Sequence, residues 1–508
     1  MIEYFNPTGI NTYQNPLQTD SQLIHSVNMY SPGLGVMQKR AGYNAFLTPP
    51  DNNQVNSLFA YPNQNGTQLF LYRAAGSRLY YSAQGTGAWT VAAGSMGGDH
   101  GGTITTNSHV QGVIVNNVLL IGDGAGSTRH TTNGTVFTDT SLAPVGQYFA
   151  QYQGRAYTTT GTNSVMSYSD ANDITNWNTG GTSDSSSLTI PDEGAAGPMF
   201  VAGDRLIITK TRGKMFNWDA TSLVDMATKY GPTMPWALGN IDDSWLYTNQ
   251  YGQFSFDGAN RKLISNPVQR QFYNRQNTGI GTARIGATSA ACGAAYIWDY
   301  LVTMGTITDD FTGRQIPNAI LKYDYQKNSF LNWQFNDNPT SMLSYTDVNN
   351  RKQLLFGNAL GQCFQLSPTA TSDNGIAISS EMIFLFTYAS QSQVMSPTSA
   401  SIVSGESLEK KWNWLRLFLS PGCEVNVQFA FSNTLTYQHL KWSEAVNTAQ
   451  RTGDYWQFAD GIMEMRFPDD PNNPPRSRFL FLRLYERSDN STWQYFGAQI
   501  DAEPQLIK

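Results

Sequence analysis

A loose recurrence with a mean pitch of about 47 residues constrains this chain more than any single motif does. Its unit is an apolar strand, a tight polar turn, a second strand and an aromatic. It occurs in QLFLYRAAGSRLYYS (68–82), VIVNNVLLIGDG (113–124), YFAQYQGRAYTTT (148–160) and MFVAGDRLIITKTRGKMFNW (199–218). It returns in SWLYTNQYGQFSFDG (244–258), AAYIWDYLVTMG (294–305) and KQLLFGNALGQCFQL (352–366), with gaps between starts of 45, 35, 51, 45, 50 and 58 residues. A propeller blade of four antiparallel strands takes about 40–50 residues, so the spacing predicts a β-propeller of six or seven blades. Gly76-Ser77, Asn116-Asn117 and Tyr251-Gly252 supply hairpin reversals between the paired strands.

Composition supports an all-β fold. Aromatics make up 13% of the 508 residues and charged residues only 14%, against the usual quarter or so. Such a chain is rich in strand and turn formers and poor in helix formers. Net charge is −6, so bulk electrostatics do not draw it to nucleic acid, which calls for a basic face. Cys292, Cys363 and Cys423 are odd in number, lack CxxC spacing and sit in apolar contexts, so they are expected as buried small hydrophobes. The five histidines have no metal-ligand spacing, and no metal or cofactor is expected. No window approaches eighteen apolar residues and MIEYFNPTGINTYQ lacks signal-peptide character, so neither membrane insertion nor secretion is expected.

Residues 1–54 are expected as an N-terminal arm and propeller closure, 55–379 as the propeller and 380–508 as a β-sandwich. QSQVMSPTSASIVSGESLEKK is polar and small, and WNWLRLFLS, VNVQFAFS and RFLFLRLYE follow as strong strands. PDDPNNPPR (468–476) is expected as a rigid loop within that domain. TITDDFTGRQIPN (306–318) is expected as a protruding insertion, and GSTRHTTNGT (126–135) as a loop tip with His130 exposed.

YSDANDITNWN (168–178) offers two chemistries. Asp170, Asn172 and Asp173 could wrap a hard cation, or the stretch could be a turn whose tryptophan seals a blade. A DxDxDG loop with a distant glutamate is absent, and Asp and Asn cap turns through their own backbone, so the turn is favoured.

GINTYQNPLQTDSQLIHSVNMYSPGLGVMQKRAGYNAF (9–46) resembles the opening of phage tail nozzle and packaged-DNA stabilisation proteins. Their KRPG-like turn corresponds here to Lys39–Gly42, with Ala41 replacing the proline. The SD-x-x-D-x-x-NW turn, here Ser169, Asp170, Asp173, Asn176 and Trp177, is similar to one in that family. So are DRLIITKTRGKMFNW (204–218) and QYGQFSFDGANRKLISNPVQRQF (250–272). The resemblance runs over roughly residues 9–380 in short scattered motifs, and reaches the sandwich only by position. It implies a virion structural protein of the tail: a homo-oligomeric ring, expected as a hexamer, beside an adaptor and a fibre or spike. DNA would pass through its lumen without tight binding.

Catalysis is not expected. Asp242-Asp243 and Asp309-Asp310 are adjacent pairs, but strand neighbours point to opposite faces, so solvated turn charges are the plain interpretation. GIGTARIG (279–286) lacks dinucleotide spacing, and no GxSxG, HExxH or P-loop occurs. The densest basic run is Arg261, Lys262, Arg270, Arg275 and Arg284, a candidate interface to a neighbouring subunit or adaptor. A receptor- or glycan-binding propeller is the alternative from another class, and a propeller glycosidase the remaining one.

Overall fold

The computed structural model describes the chain apart from residues 1, 6–8, 11–22, 34, 64–65, 67, 96–99, 172, 180–182, 273–290, 310, 387–408, 436, 468–475, 488–491 and 505–508. The described residues are nearly all strand and turn, with a few short 3-10 turns. They form a β-propeller with an appended pair of sheets.

Seven four-stranded antiparallel units make the propeller. Their inner strands are Val55–Pro62, Gln111–Val115, Tyr148–Tyr152, Ala196–Ala202, Leu238–Ile241, Gly293–Tyr296 and Pro339–Thr346. The first four lie against one another in order, as do the last three, and Pro339–Thr346 returns against Val55–Pro62. The fourth and fifth blades meet through Phe200 and Ile207 packed with Tyr247, Phe254 and Phe256. Local chemistry drives the hairpins. Asn116-Asn117 and Asp242-Asp243 hold φ of 48° and 62°, and 49° and 62°, the left-handed pair that matches strand twist in two-residue turns.

The seventh blade takes its outer strand from the N-terminal region: Tyr43–Ala45 pairs antiparallel with Cys363–Leu366. Tyr43 is fully buried against Phe335, Phe356 and Phe364, with ring centroids 5.2, 4.9 and 5.1 Å away. Of the other described N-terminal strands, one bridges the sixth blade and the C-terminal layers and the rest join those layers. His25–Val27 inserts between Ser329–Gln334 of the sixth blade and Ser380–Phe386, making one nine-stranded sheet that continues through Phe479–Glu486 and Asn426–Ser432. Ile2–Phe5 and Val36–Lys39 flank Gln494–Pro504 in a second sheet centred on Lys410–Leu419. The two sheets share a core in which Phe384 meets Tyr495 at 4.9 Å. Both ends of the chain therefore build the C-terminal layer pair.

Two expectations need correcting here. TITDDFTGRQIPN is no protruding insertion. It extends the central hairpin of the sixth blade, Asp299–Thr308 with Gln315–Asp324, and its tip packs Phe311 against Tyr437 and Phe481 of the neighbouring layer. GSTRHTTNGT contains the strand Arg129–Thr131, and His130 is half-buried with Nδ1 3.0 Å from Thr140 Oγ1. Alternation of small polar residues hid a short central strand there.

Candidate functional site

The KRAG turn is densely bonded. It leaves the hairpin of the C-terminal layer at Val36–Lys39 and enters the propeller at Tyr43–Ala45. Lys39 is buried and donates from Nζ to Glu486 at 2.9 Å. Arg40, 2% exposed, spreads a planar fork of five donors. Two bond Asp373 at 2.8 and 2.6 Å, and Nε bonds Asn28 Oδ1 at 2.8 Å. The others reach the Gln334 and Ala41 carbonyls, at 2.6 and 3.0 Å, and the guanidinium carbon stands 4.8 Å over Phe335. A Cβ on Gly42 would lie 1.9 Å from the Ser372 carbonyl oxygen, so only glycine fits. One turn thus joins the seventh blade, the arm and the C-terminal layer pair. Its chemistry is that of a lock, since every charge is matched and none faces solvent.

YSDANDITNWN folds as a turn. The Asp170 amide donates to the Asn176 carbonyl at 3.0 Å, and the Asp173 carboxylate accepts from the Thr175 amide at 3.0 Å. The Asn176 side chain accepts from the Asn178 amide in the same manner. Trp177 and Ile174 turn back into a cluster with Val115, Leu120 and Ala156, sealing the second blade against the third. Asp170 accepts from the Asp184 amide at 3.3 Å and is buried. Asn172 lies outside the described residues.

The basic run is only partly described. Arg261 opens the outer strand Arg261–Leu263 of the fifth blade, its guanidinium 4.7 Å over Tyr230 and hydrogen-bonded to Thr228. Lys262 is exposed beside it, on the opposite face of the strand by alternation. Tyr230 and Tyr251, 43% and 38% exposed and 5.2 Å apart, extend this edge into an aromatic and cationic surface. Residues 266–271 form a 3-10 turn that carries Arg270 in its backbone. Arg275, Arg284 and GIGTARIG lie outside the described residues.

Of the carboxylate pairs, Asp242 and Asp243 are exposed turn residues. Asp309 is not: it is 1% exposed, and its Oδ2 lies 2.9 Å from His25 Nδ1. Glu381 lies 3.9 Å from the other His25 nitrogen and also meets Arg483 and Arg314 at 2.8 and 3.3 Å. Burial disfavours a charged His25, but Asp309 and Glu381 outweigh it and raise its pKa above 6.5. Sequence reading missed this cluster because its members come from three remote segments. The three cysteines are buried and free, and burial pushes the thiols of Cys292 and Cys363 up to about 12. Among the described residues no three His, Cys, Asp or Glu are placed to hold a metal.

No family model matches the chain, and no curated protein matches it. Solved structures that are similar include BBS1N in complex with ARL6DN, at 10% identity and TM-score 0.41, covering 65% of this chain and 99% of that one. YCF48 bound to D1 peptide shares 11% identity at TM-score 0.40, covering 64% of this chain and 96% of that one. Saccharomyces cerevisiae Sqt1 shares 8% at TM-score 0.39, covering 65% and 99%. At these scores the strand topology, not the likeness, carries the fold.

Proposed function

We propose that this chain is a structural component of a phage tail, a homo-oligomeric ring through which DNA passes. The KRAG turn carries this reading. The residues that bear the resemblance to tail nozzle proteins, Lys39, Arg40 and Gly42, are those that tie arm, propeller and C-terminal layer pair together. On this reading the chain acts by assembly and not by turnover, the ring is a hexamer, and an adaptor and a fibre or spike are its neighbours. With 32 Lys and Arg against 38 Asp and Glu it has no surplus for a strongly basic wall, so the lumen is neutral or acidic. DNA then slides without the phosphate contacts that add affinity and salt dependence. The edge at Arg261 and Lys262, the described part of the basic run that also holds Arg270, Arg275 and Arg284 in sequence, is the docking surface for a neighbouring subunit or the adaptor. Its exposed Tyr and Arg are residue types that dominate interface energetics.

Mass photometry and electron microscopy of the purified protein test the ring. A six-membered closed particle that binds duplex DNA weakly at physiological salt supports the reading; a persistent monomer, or tight DNA binding with a steep salt slope, overturns it. A receptor- or glycan-binding role has one observation in its favour. On the C-terminal layer pair Tyr455 (58% exposed), Trp456, Gln457 and Glu464 line an open cleft of about 600 Å³. Saturable oligosaccharide binding by a monomer, lost in Tyr455→Ala, would favour it over the ring.

A further inference from the structure

Four lysines of the described chain are buried: Lys39, Lys210, Lys322 and Lys410. Three of them donate ordinary hydrogen bonds: Lys39 to Glu486, Lys210 to Ser164 and the Ile190 carbonyl, and Lys410 to the Arg478 carbonyl. Lys322 does not. Its Nζ lies 2.6 Å from Asp299 Oδ1 and 3.8 Å from Asp324 Oδ2, yet meets neither in hydrogen-bond geometry.

The central hairpin of the sixth blade creates this contact. Asp299 and Asp324 sit directly opposite each other across its two strands, and Lys322 sits opposite Leu301. Residues two apart on a strand share a face, so both carboxylates and the amine project from one side. Like charges directly opposite destabilise a ladder, and here a single amine stands between them. The Lys322 side chain is fully buried, and those of Asp299 and Asp324 are 13% and 6% exposed. The rings of Tyr30 and Trp333 stand 4.9 and 5.8 Å from Nζ, and the indole N–H is already engaged by the Met29 carbonyl.

The two acids are not equivalent. Asp324 also takes the Lys327 Nζ at 2.8 Å and the Lys327 amide at 2.9 Å. Asp299 makes ion-pair contact with Lys322 alone among the described residues. Burial raises the pKa of Asp299; Lys322 opposes that rise and Asp324 adds to it. Burial of an amine against an acid favours the neutral pair over the charged one. At 2.6 Å, transfer of one proton along the contact makes that pair. Holding the two groups together also replaces a bimolecular encounter.

We propose that Lys322 and Asp299 condense to an intramolecular isopeptide bond, with Asp324 as the proton relay. The neutral Nζ attacks Asp299 Cγ and the C–N bond forms. Asp324 takes a proton from Nζ and returns it to the departing hydroxyl, so the C–O bond breaks and water leaves. The step is redox-neutral and needs no co-reactant. Its product pins a hairpin in the sheet that runs on through His25–Val27 to the C-terminal layers. Such a cross-link constrains the unfolded chain as a disulfide does, in a protein whose three cysteines are free. The bond is independent of the tail reading.

Mass spectrometry of the denatured full chain tests this. The expected chain is one water lighter than its sequence. Trypsin should release a branched peptide that joins residues 285–314 to 315–327 and is uncut at Lys322. Lys322→Arg and Asp299→Ala should each restore the full mass, and Asp324→Asn should leave most of the chain uncondensed. The wild-type measurement holds whether or not a variant folds. A wild-type chain at its full mass, or a lost water that fragmentation places elsewhere, overturns the proposal. Complete condensation in Asp324→Asn overturns the relay.

Discussion

At Arg40 the side chain is almost wholly buried, yet all five of its N–H donors have acceptors. Removing one partner of a buried pair leaves the other charge unmatched, which typically costs about 3–5 kcal/mol. Arg40→Met should therefore destabilise the chain by that amount in chemical denaturation, because it strands Asp373. Arg40→Lys should recover little, since an ammonium cannot reproduce the two-pronged geometry. Ala41 is different. Its amide donates to no acceptor among the described residues, so Ala41→Pro, which restores the turn of the resembled family, should stay within about 1 kcal/mol of wild type. Trp177 is 5% exposed between two blades, and Trp177→Ala should cost about 3–5 kcal/mol as a large core deletion. Asp170→Asn keeps an acceptor for the Asp184 amide and should have little effect. A calcium-dependent rise in melting temperature that Asp170→Asn abolishes would refute the turn assignment.

The central hairpins of the blades explain why the sequence period is irregular. The recurring unit is the first and second strands in the second, third and sixth blades. In the first, fifth and seventh it is the second and third. Both pairs read as apolar strand, polar turn, apolar strand, so the pitch slips by one strand while its mean holds. The hairpin of the sixth blade also carries a pH-dependent contact. His25 has a folded pKa raised above 6.5, so its contribution to stability is complete below about that pH. That contribution is lost as pH rises through the higher folded value. Asp309 is shifted the other way: burial opposes its charge, but His25 and hydrogen bonds from Thr312 lower its pKa. Its contribution is present above the ordinary carboxylate range and lost in acid. Melting temperature should thus fall as pH climbs from 6.5, and His25→Gln should flatten that limb. An unchanged slope in the variant would exclude the pair as its source.

Across the whole molecule, propeller and C-terminal layers share a sheet through His25–Val27 and a lock through Lys39 and Arg40. Chains whose domains share a core tend to unfold together, whereas linked independent domains show separate transitions. Thermal unfolding followed by far-ultraviolet circular dichroism and by tryptophan fluorescence should give one coincident transition. Deleting residues 1–46 removes the outer strand of the seventh blade and strands from both C-terminal sheets, so the truncated chain should fail to give a cooperative transition. Two separated transitions in the intact protein would show that the shared strand does not couple the halves.

Local chemistry in the sequence determined that this chain is all-β, that its hairpins turn on Asn-Asn and Asp-Asp pairs, and that Trp177 returns to a core. Alternation, turn conformation and aromatic burial are each set within a few residues. The tertiary structure decided which edges pair. It sent Ile2–Phe5, Met29–Gly33 and Val36–Lys39 to a C-terminal sheet, laid His25–Val27 between the sixth blade and the other, gave Tyr43–Ala45 to the seventh blade, and fixed the blade count at seven. It also drew Asp309 and His25 into one buried pair. An edge strand offers the same row of N–H and C=O groups to any partner, so nothing local in its residues names the strand it will join. That choice is made by the packing of side chains far apart in the chain, which no repeat or motif encodes.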